Sequence, residues 1–198
     1  INQKLSDMSS SDSLTGLANR YTFDILIHHL LANAKRHQHP VSIMMLDLSE
    51  LKAINADGHT LHLDTFIQKT GQFIKTSIRA SDVACRWSED KFLVTFNNCQ
   101  QDKATSIAES LRLNIEHLLH KELNHYVANS IRISAGLTDY YPNDTIESLL
   151  ERTERALTHA QSQDSNRMMY VQPPYYMPTY MTRRINKQLD VKAVQMQA

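Results

Sequence analysis

Apolar positions recur at helical spacing from Asn19 to about Arg36, where Phe23, Leu26, Ile27, Leu30, Leu31 and Ala34 predict a helix that Pro40 stops. Val41–Leu48 (VSIMMLDL) is a nearly unbroken apolar run of strand length, the pattern of a strand covered on both faces. A second helix is predicted from about Asp64 to Arg79, with Phe66, Ile67, Phe73, Ile74 and Ile78 on its buried side. Val83–Trp87 and Phe92–Phe96 read as two short strands joined by the polar tetrad Ser88-Glu89-Asp90-Lys91, a hairpin. Asp102–Leu123 is a third amphipathic helix on Ile107, Leu111, Ile115 and Leu118, and Ile131–Thr138 alternates as a strand. Thr145–Gln161 forms another helix and Met168–Val171 a last strand. A hairpin in mid-chain demands an antiparallel pair. The expected fold class is therefore α/β (α+β): a central, mostly antiparallel five-stranded sheet flanked by helices. Residues 1–13 are a serine-rich linker or the end of an upstream helix, 14–171 the domain, and 172–198 an extension without a convincing period.

Composition narrows the function. Basic and acidic residues balance at 21 each, which argues against bulk electrostatic binding to nucleic acid or an anionic membrane. No apolar run approaches the ~20 residues of a membrane span, so a cytoplasmic setting is expected, as is a longer parent protein because the chain opens on Ile1. Four glycines (Gly16, Gly58, Gly71, Gly136) leave no room for GxGxxG or GxxxxGK[ST], and Rossmann and P-loop readings fall away. Cys85 and Cys99 fit no zinc spacing and read as buried, reduced thiols. The histidine pairs His59/His62 and His117/His120 could each share a helix face, but no carboxylate completes a metal-ligand set.

One run of residues carries more than composition. Asp12-Ser13-Leu14-Thr15-Gly16-Leu17-Ala18-Asn19-Arg20 resembles the D-x-LTGL-x-NR opening of GGDEF domains, the diguanylate cyclase family. The resemblance continues through LDLSELKAIN (46–55), RASDVACRWSEDKF (79–92), the SAG turn (134–136) and TERALTHAQSQDSNR (153–167). It implies a sheet wrapped by helices and, in active members, two domains that join two magnesium-bound GTP molecules into cyclic di-GMP.

Set against that pattern, several positions differ. The hairpin tip reads Ser88-Glu89-Asp90-Lys91-Phe92, with Lys91 where the family has its last acidic, metal-coordinating residue. An ammonium offers no lone pair to a hard cation. A unit-charge pair ~4 Å apart is worth about 4 kcal/mol at an effective dielectric of ~20, so a reversed sign beside a divalent ion weighs heavily. Asp47 matches the first metal aspartate, but Ser49 stands where a second is usual. Ser88 and Glu89 replace the two glycines that lie against the triphosphate, and Gln161 and Ser165 replace a phosphate-binding lysine and arginine. Magnesium binding is expected to be lost, no cofactor is expected, and the chain is expected not to be an enzyme. Asn55 and Asp64 match the pair that reads guanine, although Ala56 and Leu63 beside them depart from the family.

Arg79-Ala80-Ser81-Asp82 matches R-x-x-D, the family's product-binding motif. A guanidinium can fork onto guanine O6 and N7, and a carboxylate can accept from N1–H and N2–H. Arg86 is expected to add charge toward a phosphodiester. The resulting expectation is a cyclic di-GMP receptor acting through Arg79, Asp82 and Arg86. It would work as a homodimer, with an upstream sensor or an EAL-type partner and no nucleic acid. The alternatives are a nucleotide-independent scaffold, a GTP-binding regulatory domain using Asn55 and Asp64, and a weak cyclase.

Overall fold

The computed structural model describes residues 10–51, 63–122, 132–163 and 167–173. In chain order these form α1 (Arg20–His37), β1 (Val41–Asp47), α2 (Leu63–Ser77), β2 (Val83–Arg86), β3 (Lys91–Asn97), α3 (Gln101–Glu122), β4 (Ser134–Asp139), α4 (Ile146–Gln161) and β5 (Met168–Val171). The strands make one sheet in the order β2-β3-β1-β4-β5. The β2–β3, β3–β1 and β1–β4 pairs are antiparallel, and β4–β5 is parallel.

β1 lies in the middle, and all seven of its residues are buried. Successive side chains of a strand point to opposite faces, so the unbroken apolar run serves two cores. Met44 and Leu46 pack with Phe66, Ile74, Phe92, Phe96 and Ile115 on the α2–α3 side. Ile43 and Met45 pack with Phe23, Ile27, Leu31, Leu149 and Leu157 on the α1–α4 side. Leu26, although in helical register, is 40% exposed, because the packed stripe of α1 runs through Phe23, Ile27, Leu30, Leu31 and Ala34.

Local signals set the helix ends. The Asn19 side chain accepts from Thr22 N–H at 2.8 Å and caps α1, and Thr145 caps α4 by accepting from Ser148 N–H at 3.2 Å. β4 begins at Ser134, later than the sequence pattern predicts, because its partner β1 ends at Asp47, directly across from Ser134. Lys91 belongs to β3 and not to the hairpin turn, since its backbone pairs in register with Asp47.

The segment before α1 seals the sheet. Ala18 bridges to Cys85, and Ala18 N–H donates to Ala84 O, which covers the outer edge of β2. Asp12 organises the turn: its Oδ1 accepts from Thr15 N–H at 2.9 Å and from Thr15 Oγ1 at 2.7 Å. Gly16, at φ 68°, supplies the left-handed residue that the turn needs. At the opposite side, the buried Arg152 of α4 donates to Thr138 Oγ1 and Asp139 O and pairs with Asp144 at 2.5 Å. Among the described residues, no helix is long and apolar enough to cross a membrane.

Candidate functional site: the Arg79–Asp82 turn and the hairpin tip

α2 ends at Ser77, and the chain turns through Arg79–Asp82 into β2. The Asp82 carboxylate holds that turn together. Its Oδ2 accepts from Arg79 N–H at 3.0 Å, its Oδ1 accepts from Asn97 N–H at 2.9 Å, and its own N–H donates to Arg79 O at 3.0 Å. One hydrogen bond per oxygen leaves a second lone pair on each. Arg79 is exposed, and among the described residues no hydrogen bond or ion pair engages its guanidinium. Its charge is felt nearby: burial pushes the Cys99 thiol up, while Arg79 and Lys103 oppose that shift. Sequence and structure thus bring Arg79 and Asp82 together.

Arg86 is not part of that group. Three residues along β2, it stands about 10 Å beyond Val83, at the hairpin end of the strand. Its guanidinium pairs with Asp12 at 3.5 Å and donates to Glu89 O at 3.0 Å. The charge expected to reach a ligand at Arg79 instead ties the N-terminal turn to the hairpin tip.

The tip itself is well bonded. Trp87 N–H and Ser88 N–H both donate to Lys91 O, at 2.8 and 3.2 Å, and Ser88 Oγ donates to Asp90 Oδ1 at 3.0 Å. Leu48 N–H donates to Asp90 O at 2.8 Å, fastening the tip to the end of β1. Arg20 lies 4.0 Å over the Trp87 ring, which also meets Phe23 edge-on.

Asp47, only 4% exposed, accepts through Oδ1 from both the N–H and the hydroxyl of Ser49. Directly across from it in the ladder stands Lys91, whose Nζ is 3.3 Å from Glu154 Oε1 on α4. A magnesium ion of the kind the resemblance implies needs several oxygen donors turned toward one point. Here one buried carboxylate is engaged by serine and faces a strand position occupied by an ammonium. Among the described residues, no group of three or more His, Cys, Asp or Glu side chains could hold a metal ion, so these donors do not make a ready magnesium site.

Of the other positions singled out in the sequence, Asp64 is exposed in the first turn of α2, and Gln161 ends α4, its carbonyl accepting from Arg167 at 3.2 Å. Asn55 and Ser165 lie outside the described residues, as does the extension from 174. Cys85 and Cys99 are buried and free. Two participants escaped the sequence reading. Glu154 meets Lys91 across 63 positions of chain, and Asn97 acts through its backbone, which no residue pattern reports.

A five-stranded sheet with this hairpin, wrapped by helices, is the architecture of solved GGDEF domains. The family described as "Diguanylate cyclase, GGDEF domain" matches residues 9–167, and the chain belongs to it. Diguanylate cyclase A of Treponema denticola is 28% identical over 176 residues, covering 84% of this chain and 46% of that protein. Diguanylate cyclase VdcA of Vibrio cholerae is 30% identical over 159 residues, covering 80% of this chain and 46% of its own length. The chain therefore spans less than half the length of these two relatives. Among solved structures, the GGDEF domain of DgcB from Caulobacter crescentus, in complex with c-di-GMP, superposes with a TM-score of 0.72 at 21% identity, covering 82% and 95% of the two chains.

These relatives correct one expectation. Lys91 and the missing glycines suggested a chain that is not an enzyme, yet the relatives matching four-fifths of it are named as cyclases. The substitutions concern the ligands of one metal geometry. They do not take the domain out of an enzyme family.

Proposed function

We propose that this chain is a cyclic di-GMP signalling domain that binds the dinucleotide at the Arg79–Asp82 turn. The observation that carries the reading is the state of that turn: a carboxylate fixed by two backbone N–H groups beside an exposed guanidinium that no hydrogen bond or ion pair engages among the described residues. The Asp82 carboxylate is positioned before any ligand arrives, which lowers the ordering cost at that group, while the Arg79 side chain is ordered on binding. The guanidinium supplies two parallel donors for guanine O6 and N7, and the free lone pairs of Asp82 take N1–H and N2–H. The family and the ligand of the Caulobacter neighbour support the choice of guanine dinucleotide. Cyclic di-GMP carries two equivalent guanines, so two copies of the turn can share one ligand around a twofold axis, and ligand-dependent dimerisation follows.

Calorimetric titration of the 198-residue chain with cyclic di-GMP tests the reading. Saturable heat is expected, and Arg79→Ala abolishes it while leaving thermal stability unchanged, because the Arg79 N–H that holds Asp82 is backbone. No heat, or equal affinity in Arg79→Ala, refutes it.

The relatives' names favour a second reading, a diguanylate cyclase for which the same dinucleotide is product. Formation of cyclic di-GMP from GTP and a divalent ion, followed by chromatography, separates the two.

A further inference from the structure

We infer that the Lys91 ammonium serves as a built-in counter-cation between the end of β1 and α4, so that this face of the domain closes without a divalent ion. The inference stands on the hairpin and is independent of the Arg79 turn.

Three parts of the chain meet here. Asp47, at the end of β1, lies between Lys91 of β3 and Ser134 of β4 in the ladder, and it is buried. Lys91 is fixed at its backbone by Trp87 and Ser88 N–H, so the root of its side chain does not wander. Its ammonium reaches α4 and pairs with Glu154, a residue 59% exposed at its side chain against 27% for Lys91. With Glu154 exposed, the pair itself carries the modest weight of a surface ion pair, which salt screens. Asp47 and Glu154 bring two negative charges to this edge of the sheet, and Lys91 brings one positive charge between the elements that carry them. An acidic side chain at 91 would replace that positive charge with a negative one, across the ladder from Asp47 and toward Glu154, a repulsion that an added dication can offset. With lysine, the counter-charge is covalently part of the chain. The mismatch between these donors and magnesium is then a substitution of one kind of clamp for another.

Thermal melts of the full chain, in chelator and in millimolar magnesium or manganese, test this. The native chain is expected to melt at the same temperature in both. Lys91→Glu is expected to melt several degrees lower in chelator and to recover part of that loss when the divalent ion is added. A native melting temperature raised by magnesium, with the rise abolished in Asp47→Asn, overturns the inference. So does a Lys91→Glu variant that melts like the native chain in chelator. Should Lys91→Glu fail to fold, Lys91→Met and Glu154→Gln decide. Each is expected to lower the melting temperature, and the double variant no further than the larger single effect. Simple addition of the two effects refutes the pairing.

Discussion

At the scale of single residues, the buried acid Asp139 makes the clearest demand. It is 7% exposed at the end of β4, and its carboxylate accepts from Ser42 Oγ at 2.6 Å and from Tyr170 OH at 2.9 Å. Burial raises its pKa above the ordinary 3.8, more than those two hydrogen bonds and the nearby Arg152 charge lower it. A carboxyl group raised in the folded state binds its proton more tightly there than in the unfolded chain. Its contribution to stability is therefore complete below pH 3.8 and declines as pH rises from there through the folded value. Asp139→Asn keeps the shape and removes the titration. The stability difference, native minus variant, measured by urea denaturation at a series of pH values, is expected to fall as pH rises across that window. A difference that is constant or grows would refute the assignment.

At the scale of elements, the close approach of α4 to β4 depends on Gly136. A Cβ built there would lie 2.2 Å from Leu157 N and 2.6 Å from Thr153 O, both backbone atoms of the helix. Backbone cannot rotate aside as a side chain can, so the helix as a whole must shift. That shift would disturb Arg152, whose guanidinium links Thr138, Asp139 and Asp144. Gly136→Ala is expected to cost about 3 kcal/mol or more, at the upper end of overpacking penalties, measured as a fall in the urea midpoint. Gly71 sets a similar limit between α2 and the N-terminal turn, because a Cβ there would lie 2.5 Å from Thr15 Cβ and 3.1 Å from Thr15 Cα. An alternating or helical period can place each of these elements, but it carries no measure of how closely two of them approach.

At the scale of the whole molecule, the two cysteines report the integrity of the two cores. Cys85 packs on the α1–α4 side and Cys99 on the α2–α3 side. Burial pushes the Cys85 thiol up to about 12, and Cys99 is raised by the same cause. The thiolate is the reactive form, so both are expected to resist a thiol reagent in the native state at neutral pH. Both should react as the domain unfolds in denaturant. Labelling of Cys85 in the native protein at the rate of a free thiol would show that the α1–α4 core opens independently.

The sequence alone determined what depends on neighbours in the chain. The order of elements, the two-sided burial of β1 and the Asp12–Arg20 run that marks the family are all local patterns. The proximity of Arg79 and Asp82 was legible for the same reason, since the two lie within four consecutive residues. Only the tertiary structure decided where the isolated charges go. Arg86 was turned to Asp12 and Glu89, Lys91 was turned to Glu154, and the Asn97 N–H was spent on Asp82. Each of these contacts joins an element to a distant one or uses a backbone group. A charge seeks the nearest opposite charge in space, and no periodicity along the chain records which one that will be.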